Sequence, residues 1–132
     1  MKKIFALAVQ NHQKNNLELA QNLYNEVLQK NPNHVEANNN LGVIFRTLGE
    51  LQKAKLCYEK AIEIKPNHAS AHSNLGIIFK ELGEILKAKS CYEKAIEINP
   101  NHSDAYNNLG TIFTELGEIL KAKSCYEKAI EI

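Results

Sequence analysis

Three kinds of chemically capable side chain recur along this sequence at an interval of 34 residues. They are Cys57, Cys91 and Cys125; His34, His68 and His102; and Asn40, Asn74 and Asn108. Thiols and imidazoles form disulfides or bind transition metals. A carboxamide offers one acceptor and two donors, which suits pairing with the backbone of an extended peptide. The secondary structure that positions these three rows of cysteines, histidines and asparagines decides which of these reactions or contacts they can make.

An internal repeat sets this spacing. Asn-Pro-Asn-His at 31–34 returns as Lys-Pro-Asn-His at 65–68 and as Asn-Pro-Asn-His at 99–102. Cys-Tyr-Glu-Lys-Ala-Ile-Glu-Ile occurs at 57–64, 91–98 and 125–132. The sequence therefore predicts a single array over residues 1–132, with repeats at 1–34, 35–68, 69–102 and 103–132.

Each repeat is predicted to form two amphipathic helices. In the second repeat, Ala37 and Leu41 begin an apolar face at helical spacing, and Gly49 then supplies a left-handed stop before a second such face. The first repeat is in phase but weaker, with Ala8 and Asn15 where the other repeats have glycine. Asparagine tolerates the left-handed conformation better than most residues. The fold class expected is all-α, with eight helices.

Leu, Gly, Ala, Tyr, Ala and Pro at positions 7, 8, 20, 24, 27 and 32 of the repeats, with the 34-residue period, resemble the tetratricopeptide repeat. The resemblance covers the whole chain, although the aromatic residue common at position 4 is present only as Tyr106. It implies a right-handed α-solenoid of antiparallel helix pairs, whose first helices line a concave groove. Such arrays ordinarily end in a polar capping helix, which the repeat at 103–132 lacks.

The resemblance also implies where a partner would lie. Residues 69–98 and 103–132 differ at only six of 30 positions, all in the first helix, and four of these positions face the groove in this family. The expected peptide-binding groove is lined by Asn39, Asn40, Arg46, Ser73, Asn74, Lys80, Asn107, Asn108, Thr111 and Thr114. The alternative is that solvent-facing residues of the first helices have simply drifted.

Asn40, Asn74 and Asn108 all occupy position 6, so stacking would set their amides in a row. A similar asparagine ladder occurs in the superhelical repeat domain of O-linked N-acetylglucosamine transferases. The resemblance implies a grip on peptide backbone that is nearly blind to sequence, because every residue carries the same backbone groups. Two alternatives stay open: these asparagines bridge or cap neighbouring helices, or they are relics of duplication.

The cysteine and histidine rows are not expected to form a site. Packed helices lie about 10 Å apart. That exceeds the ~7 Å limit between the α-carbons of a disulfide and the ~2 Å reach of metal ligands. The three cysteines, without C-x-x-C spacing, are expected to be reduced packing residues. Since no catalytic triad, metal-ligand set or phosphate loop is recognisable, we expect no cofactor, no metal and no enzyme activity.

Net charge and hydropathy restrict the kinds of partner and the cellular location that we expect. Sixteen basic and 15 acidic residues give a net charge of +1, which favours neither nucleic acid nor a membrane surface as partner. The apolar stretch Ile4–Val9 follows two lysines, but it is shorter than the core of a signal peptide and no small-residue cleavage site follows. A cytoplasmic protein is expected.

Three functions are compatible with these features. The leading expectation is a protein–protein interaction scaffold that binds an extended peptide or protein segment in the groove. The second is the substrate-recruiting arm of a larger enzyme, such as a glycosyltransferase. The third is a structural unit that self-associates end to end through its uncapped last helix, where Ile119, Tyr126 and Ile130 would leave an apolar face open. That end either continues into a longer array or meets another molecule.

Overall fold

The computed structural model describes residues 2–132, so Met1, the first residue of the predicted first repeat, lies outside it. Residues 2–132 form eight α-helices and no strand. The helices are α1 (Lys2–Gln13), α2 (Leu17–Lys30), α3 (Val35–Thr47), α4 (Leu51–Ile64), α5 (Ala69–Glu81), α6 (Ile85–Ile98), α7 (Ser103–Glu115) and α8 (Ile119–Glu131). The all-α prediction is therefore confirmed, with one helix pair in each 34-residue period.

The helices fall into two compact units. The first ends at Pro66 and contains α1 to α4, and the second begins at Asn67 and contains α5 to α8. In the first unit α1 packs on α2, α2 on α3 and α3 on α4. In the second, α5 packs on α6, α6 on α7 and α7 on α8, and the two first helices α5 and α7 also touch each other.

Alanine, isoleucine and tyrosine at fixed repeat positions form the core of each unit. Ala37 and Ile44 on α3, and Ala105 and Ile112 on α7, have no solvent-exposed surface. The tyrosines of the second helices are buried in the same way, with exposures of 0 to 1% at Tyr24, Tyr58 and Tyr92. Small residues let the helix axes approach, and the large side chains fill the space between neighbouring pairs. This division explains the strict recurrence of these residue types.

Every first helix ends in a left-handed residue, as the sequence predicted. Gly49, Gly83 and Gly117 have φ of 79°, 81° and 77°, and Asn15 takes the equivalent place with φ of 63°. At α3 the backbone N–H of Glu50 donates to the carbonyl of Phe45 over 2.8 Å, and that of Gly49 donates to Arg46 over 2.9 Å. These two bonds make a Schellman motif, which reverses the chain within three residues.

The histidine row has a structural role that the sequence argument missed. Nδ1 of His34 accepts a hydrogen bond from the N–H of Ala37 over 3.0 Å, at the N-cap of α3. His68 does the same for Ala71 over 3.0 Å, and His102 does so for Ala105 over 3.2 Å. A backbone donor in the first turn has no partner within its helix, so each histidine satisfies one.

Candidate peptide-binding surface

The residues expected to line a peptide groove lie on the first helices α3, α5 and α7. Asn39, Asn40 and Arg46 are on α3 in the first unit, and the others are on α5 and α7 in the second. Because α5 contacts α7, the second unit brings the residues of two successive repeats together. We call the exposed part of α3 the first-helix surface of the first unit, and the exposed parts of α5 and α7 the first-helix surface of the second unit.

The three position-6 asparagines share one environment. Asn40, Asn74 and Asn108 are each partly exposed, whereas the leucine that follows each of them is buried. Their side chains are therefore held at the edge of the packed core and remain within reach of a ligand. A partly exposed amide can keep a bond to the scaffold and still use its remaining donor or acceptor outward.

Asn40 shows how such an amide is oriented. Its side chain hydrogen-bonds to the Tyr24 hydroxyl, which also lies 3.3 Å from Nδ1 of His12. Burial raises the pKa of Tyr24, and the bond from Asn40 acts against that rise. The Asn40 amide thus links α3 to α2, the bridging role left open from the sequence. A carboxamide has one acceptor oxygen and two N–H donors, so bridging and ligand binding are compatible.

Position 5 of the repeats differs in exposure from one helix to the next. Ser73 on α5 is 4% exposed and Asn39 on α3 is 6% exposed, whereas Asn107 on α7 is exposed. A ligand on this surface therefore meets Asn107 more readily than Asn39 or Ser73. Only the structure reveals this difference, since the three residues are equivalent in sequence.

Position 12 carries the basic character of the surface, and in the second unit that charge is shared. Lys80 Nζ lies 3.6 Å from Glu115 Oε1, so α5 and α7 are joined by an ion pair. Arg46 on α3 is exposed. A half-exposed ion pair contributes little to stability. Its larger effect is to lower the net positive charge that Lys80 presents.

The threonines of α7 turn part of their hydrogen-bonding capacity inward. Thr111 Oγ1 donates to the carbonyl of Asn107 over 3.2 Å, and Thr114 Oγ1 donates to that of Gly110 over 2.9 Å. The hydroxyls of Thr111 and Tyr126 lie 3.3 Å apart. Hydrogen bonding to Thr111, with a further bond to Thr114, lowers the pKa of Tyr126. Sequence comparison did not reveal this link between α7 and α8.

Neither the cysteines nor the histidines form a reactive or metal-binding cluster. Cys57, Cys91 and Cys125 are partly or fully buried and form no disulfide, and burial raises the pKa of Cys57 to about 11. Over residues 2–132 no group of three His, Cys, Asp or Glu side chains is arranged to hold a metal ion. Within the same residues no helix is long and apolar enough to cross a membrane.

Comparison with protein families identifies the architecture. A model of the tetratricopeptide repeat matches residues 67–132, a TPR repeat model matches 42–83, and a further tetratricopeptide repeat model matches 23–55. The chain belongs to the tetratricopeptide repeat family. As a member of this family it is a protein-interaction scaffold. No curated protein sequence matches it.

Solved structures show the same tetratricopeptide repeat fold. MamA 41-end from Desulfovibrio magneticus RS-1 superposes with a TM-score of 0.86 at 18% identity, covering 98% of this chain and 73% of that one. The MamA RS-1 ArsTM double mutant gives the same values. MamA MSR-1 C2 superposes with a TM-score of 0.77 at 17% identity, covering 97% and 74%. At these identities the likeness establishes an all-α solenoid of antiparallel helix pairs and does not extend to partners.

Proposed function

We propose that this tetratricopeptide repeat protein binds an extended peptide or protein segment along the first-helix surface of each unit and performs no catalysis itself. The observation that carries the proposal is the partly exposed amide repeated at one position of α3, α5 and α7. An extended segment carries unpaired N–H and C=O groups along its length. A carboxamide can pair with both kinds of group, and three at equal sequence spacing offer the same contact repeatedly.

The contrast between first and second helices supports this assignment. Residues 85–98 and 119–132 are identical in sequence, so α6 and α8 serve as a constant scaffold. By comparison, α5 and α7 differ at six positions, five of which are exposed or half-exposed in both helices, including the change from Lys80 to Thr114. Free drift of solvent-facing residues would have altered the exposed positions of α6 and α8 as well. Variation confined to one face is what partner specificity requires, since specificity is a difference of affinities.

Different residues of these surfaces contact the backbone and the side chains of the bound segment. The asparagine amides contact the backbone of the bound segment, and their contribution is similar for any sequence. The residues that differ between repeats, Lys80, Thr111 and Thr114 among them, contact its side chains and set the preference. Because Lys80 is paired with Glu115, the preference for acidic side chains is modest in the second unit.

The test is a substitution of all three amides in the full chain. Unstructured 12-residue peptides selected by display against the native protein serve as probes, and binding is read by fluorescence anisotropy. Asn40→Ala, Asn74→Ala and Asn108→Ala together should weaken binding at least about tenfold, since each net hydrogen bond contributes about 0.5–1.5 kcal/mol. The loss should be similar for peptides of unrelated sequence.

A matched control makes the same chemical change elsewhere. Asn33, Asn67 and Asn101 are exposed turn residues that recur with the same period, and replacing all three with alanine should leave peptide affinity within about twofold. If the control triple weakens binding as much as the position-6 triple, or if the position-6 triple binds normally, the first-helix surfaces are not the binding site. Circular dichroism and urea unfolding of both triples separate a loss of binding from a loss of folding.

A further inference from the structure

The last helix presents an apolar stripe that its sequence twin keeps covered. Ile119, Lys123, Tyr126 and Ile130 lie four, three and four residues apart, so they share one face of α8. We call them the terminal stripe. Ile119 is 60% exposed, Tyr126 is 36% and Ile130 is 85%. Apolar side chains that share one exposed face, unlike apolar residues exposed singly, indicate an interaction site.

The same four side chains occur on α6, where they are covered. Ile85, Lys89 and Ile96 are only partly exposed and Tyr92 is 1% exposed. The neighbour that covers them is α7: the Lys89 ammonium lies 5.6 Å from the centre of the Phe113 ring on that helix. Since residues 85–98 and 119–132 are identical in sequence, the terminal stripe has the same side chains as a face of α6 that another helix covers.

The outer side of α1 does not offer a matching surface for head-to-tail stacking. Where α7 places Ala105 and Ile112 without any exposed surface, α1 has Lys3 and Gln10, and both are exposed. Stacking α1 of one copy on α8 of another would bury a lysine and a glutamine against isoleucine. Burying such groups without partners is unfavourable.

The terminal stripe is, in contrast, complementary to itself. If two copies of α8 run antiparallel about a two-fold axis between Lys123 and Tyr126, Ile119 of each copy faces Ile130 of the other. The same arrangement sets Lys123 of one copy beside Glu127 of the other, so two opposite-charge pairs flank the apolar contacts. Both Lys123 and Glu127 are exposed on α8. A two-fold contact of this kind uses the same patch on both copies, so the assembly closes at two copies.

We propose that the terminal stripe is a homodimer interface, in which α8 of one copy packs antiparallel on α8 of a second copy. The contact pairs Ile119 with Ile130 and Lys123 with Glu127 across the two-fold axis. It leaves the first helices outside the interface, so the dimer carries two copies of each first-helix surface. Two peptide sites on one particle would raise its avidity for a partner that repeats its binding segment.

Sedimentation equilibrium of the full chain from about 1 µM to about 1 mM tests the proposal. The weight-average mass should rise from 14.9 kDa towards twice that value and stop there. Ile130→Lys should weaken dimerisation at least tenfold, with an unchanged circular dichroism spectrum, because this side chain is 85% exposed in the single chain. Leu120→Lys is the matched control: Leu120 is 83% exposed on another face of α8, and its equivalent Leu86 is 70% exposed even though α7 covers α6. It should dimerise as the native chain does.

Charge reversal supplies a second, independent readout. Lys123→Glu alone and Glu127→Lys alone should each weaken dimerisation, and the double variant should restore it, since the pairs are re-formed with opposite sign. A native chain that stays at 14.9 kDa throughout would overturn the proposal. So would a mass that grows beyond the dimer, which would indicate open stacking, or a Leu120→Lys variant as impaired as Ile130→Lys. Peptide binding by a monomeric Ile130→Lys variant should persist, which keeps this test separate from that of the first-helix surfaces.

Discussion

The ring of Tyr92 on α6 lies directly against the backbone of Gly76 on α5. A methyl group at Gly76 would fall 2.7 Å from Cε1 of that ring, closer than real carbon atoms approach. Tyr92 is 1% exposed and so has no free space into which to retreat. The same contact joins Gly42 to Tyr58, where the separation would be 2.6 Å. The tyrosine ring therefore occupies the space that a side chain would need, and only glycine fits at this position of the helix.

Gly76→Ala should destabilise the protein although alanine is the better helix former. The helix preference alone would favour alanine by about 1 kcal/mol. Overpacking a filled core costs about 1–3 kcal/mol, so the net loss of unfolding free energy, measured with urea, should be up to about 2 kcal/mol. Gly76→Ala combined with Tyr92→Leu should lose less than the two single changes added together, because the leucine vacates the space. Additive losses would show that the ring does not press on the glycine.

Removing the N-cap hydrogen bond of α7 should lower the stability of the protein without other changes to its structure. His102→Ala abolishes the hydrogen bond from the N–H of Ala105, and loss of an N-cap costs about 0.5–2 kcal/mol. His102→Asp should keep most of the stability, since a carboxylate accepts the same N–H. Urea unfolding of the two variants provides the measurement. Equal losses in both would mean that the imidazole ring, and not its acceptor nitrogen, is what the position needs.

The partly buried His12 of the first unit should make the stability of the protein depend on pH in a defined direction. Burial lowers the pKa of His12 from its ordinary value of 6.5. The His12 imidazole therefore binds a proton more readily in the unfolded chain than in the folded one. The stabilising contribution is therefore fully present above pH 6.5 and is lost as the pH falls through the lowered value. Between pH 7.5 and pH 5 the native chain should lose more unfolding free energy than a His12→Gln variant. An identical loss in both would exclude His12 as the source.

The thiol of Cys57 should be unreactive in the folded protein. Its pKa is raised to about 11 from 9.0, so at a given pH the thiolate is roughly 100-fold scarcer than for an ordinary thiol. In a variant with serine at positions 91 and 125, iodoacetamide at pH 8 should label Cys57 at least that much more slowly in buffer than in 8 M urea. Rapid labelling in buffer would show that the site opens locally or that the thiol is not desolvated.

Much of the architecture could be read from residue types alone. Pro32, Pro66 and Pro100 fix the period, and a left-handed residue, glycine or Asn15, ends each first helix, because the steric constraints on such residues act locally. The asparagine row could be found in the same way, as a polar residue repeated beside an apolar stripe. The role of His34, His68 and His102 was also accessible, since each directly precedes a helix, but histidine is not among the usual capping residues.

The exposure of the site residues could not be predicted in this way. Asn39 and Asn107 are the same residue at the same repeat position, yet one is 6% exposed and the other is open to solvent. The pairing of Lys80 with Glu115 and the link from Asn40 to Tyr24 likewise join residues on different helices. Burial and ion pairing depend on what packs alongside a helix, and a repeat unit does not encode its own neighbours.

The sequence by itself thus determined the helices, the period and the family, because helix propensity, chain reversal and apolar spacing are properties of a few consecutive residues. Only the tertiary structure decided which of several identical side chains face water. It buries Tyr92 and exposes Tyr126, although the two lie in the same 14-residue sequence, because α7 covers one and no helix of residues 2–132 covers that face of the other. The physical reason is that the area removed from water is set by neighbours in space. The repeated sequence therefore determines the helical scaffold, and the neighbours of each helix determine which of its side chains are exposed.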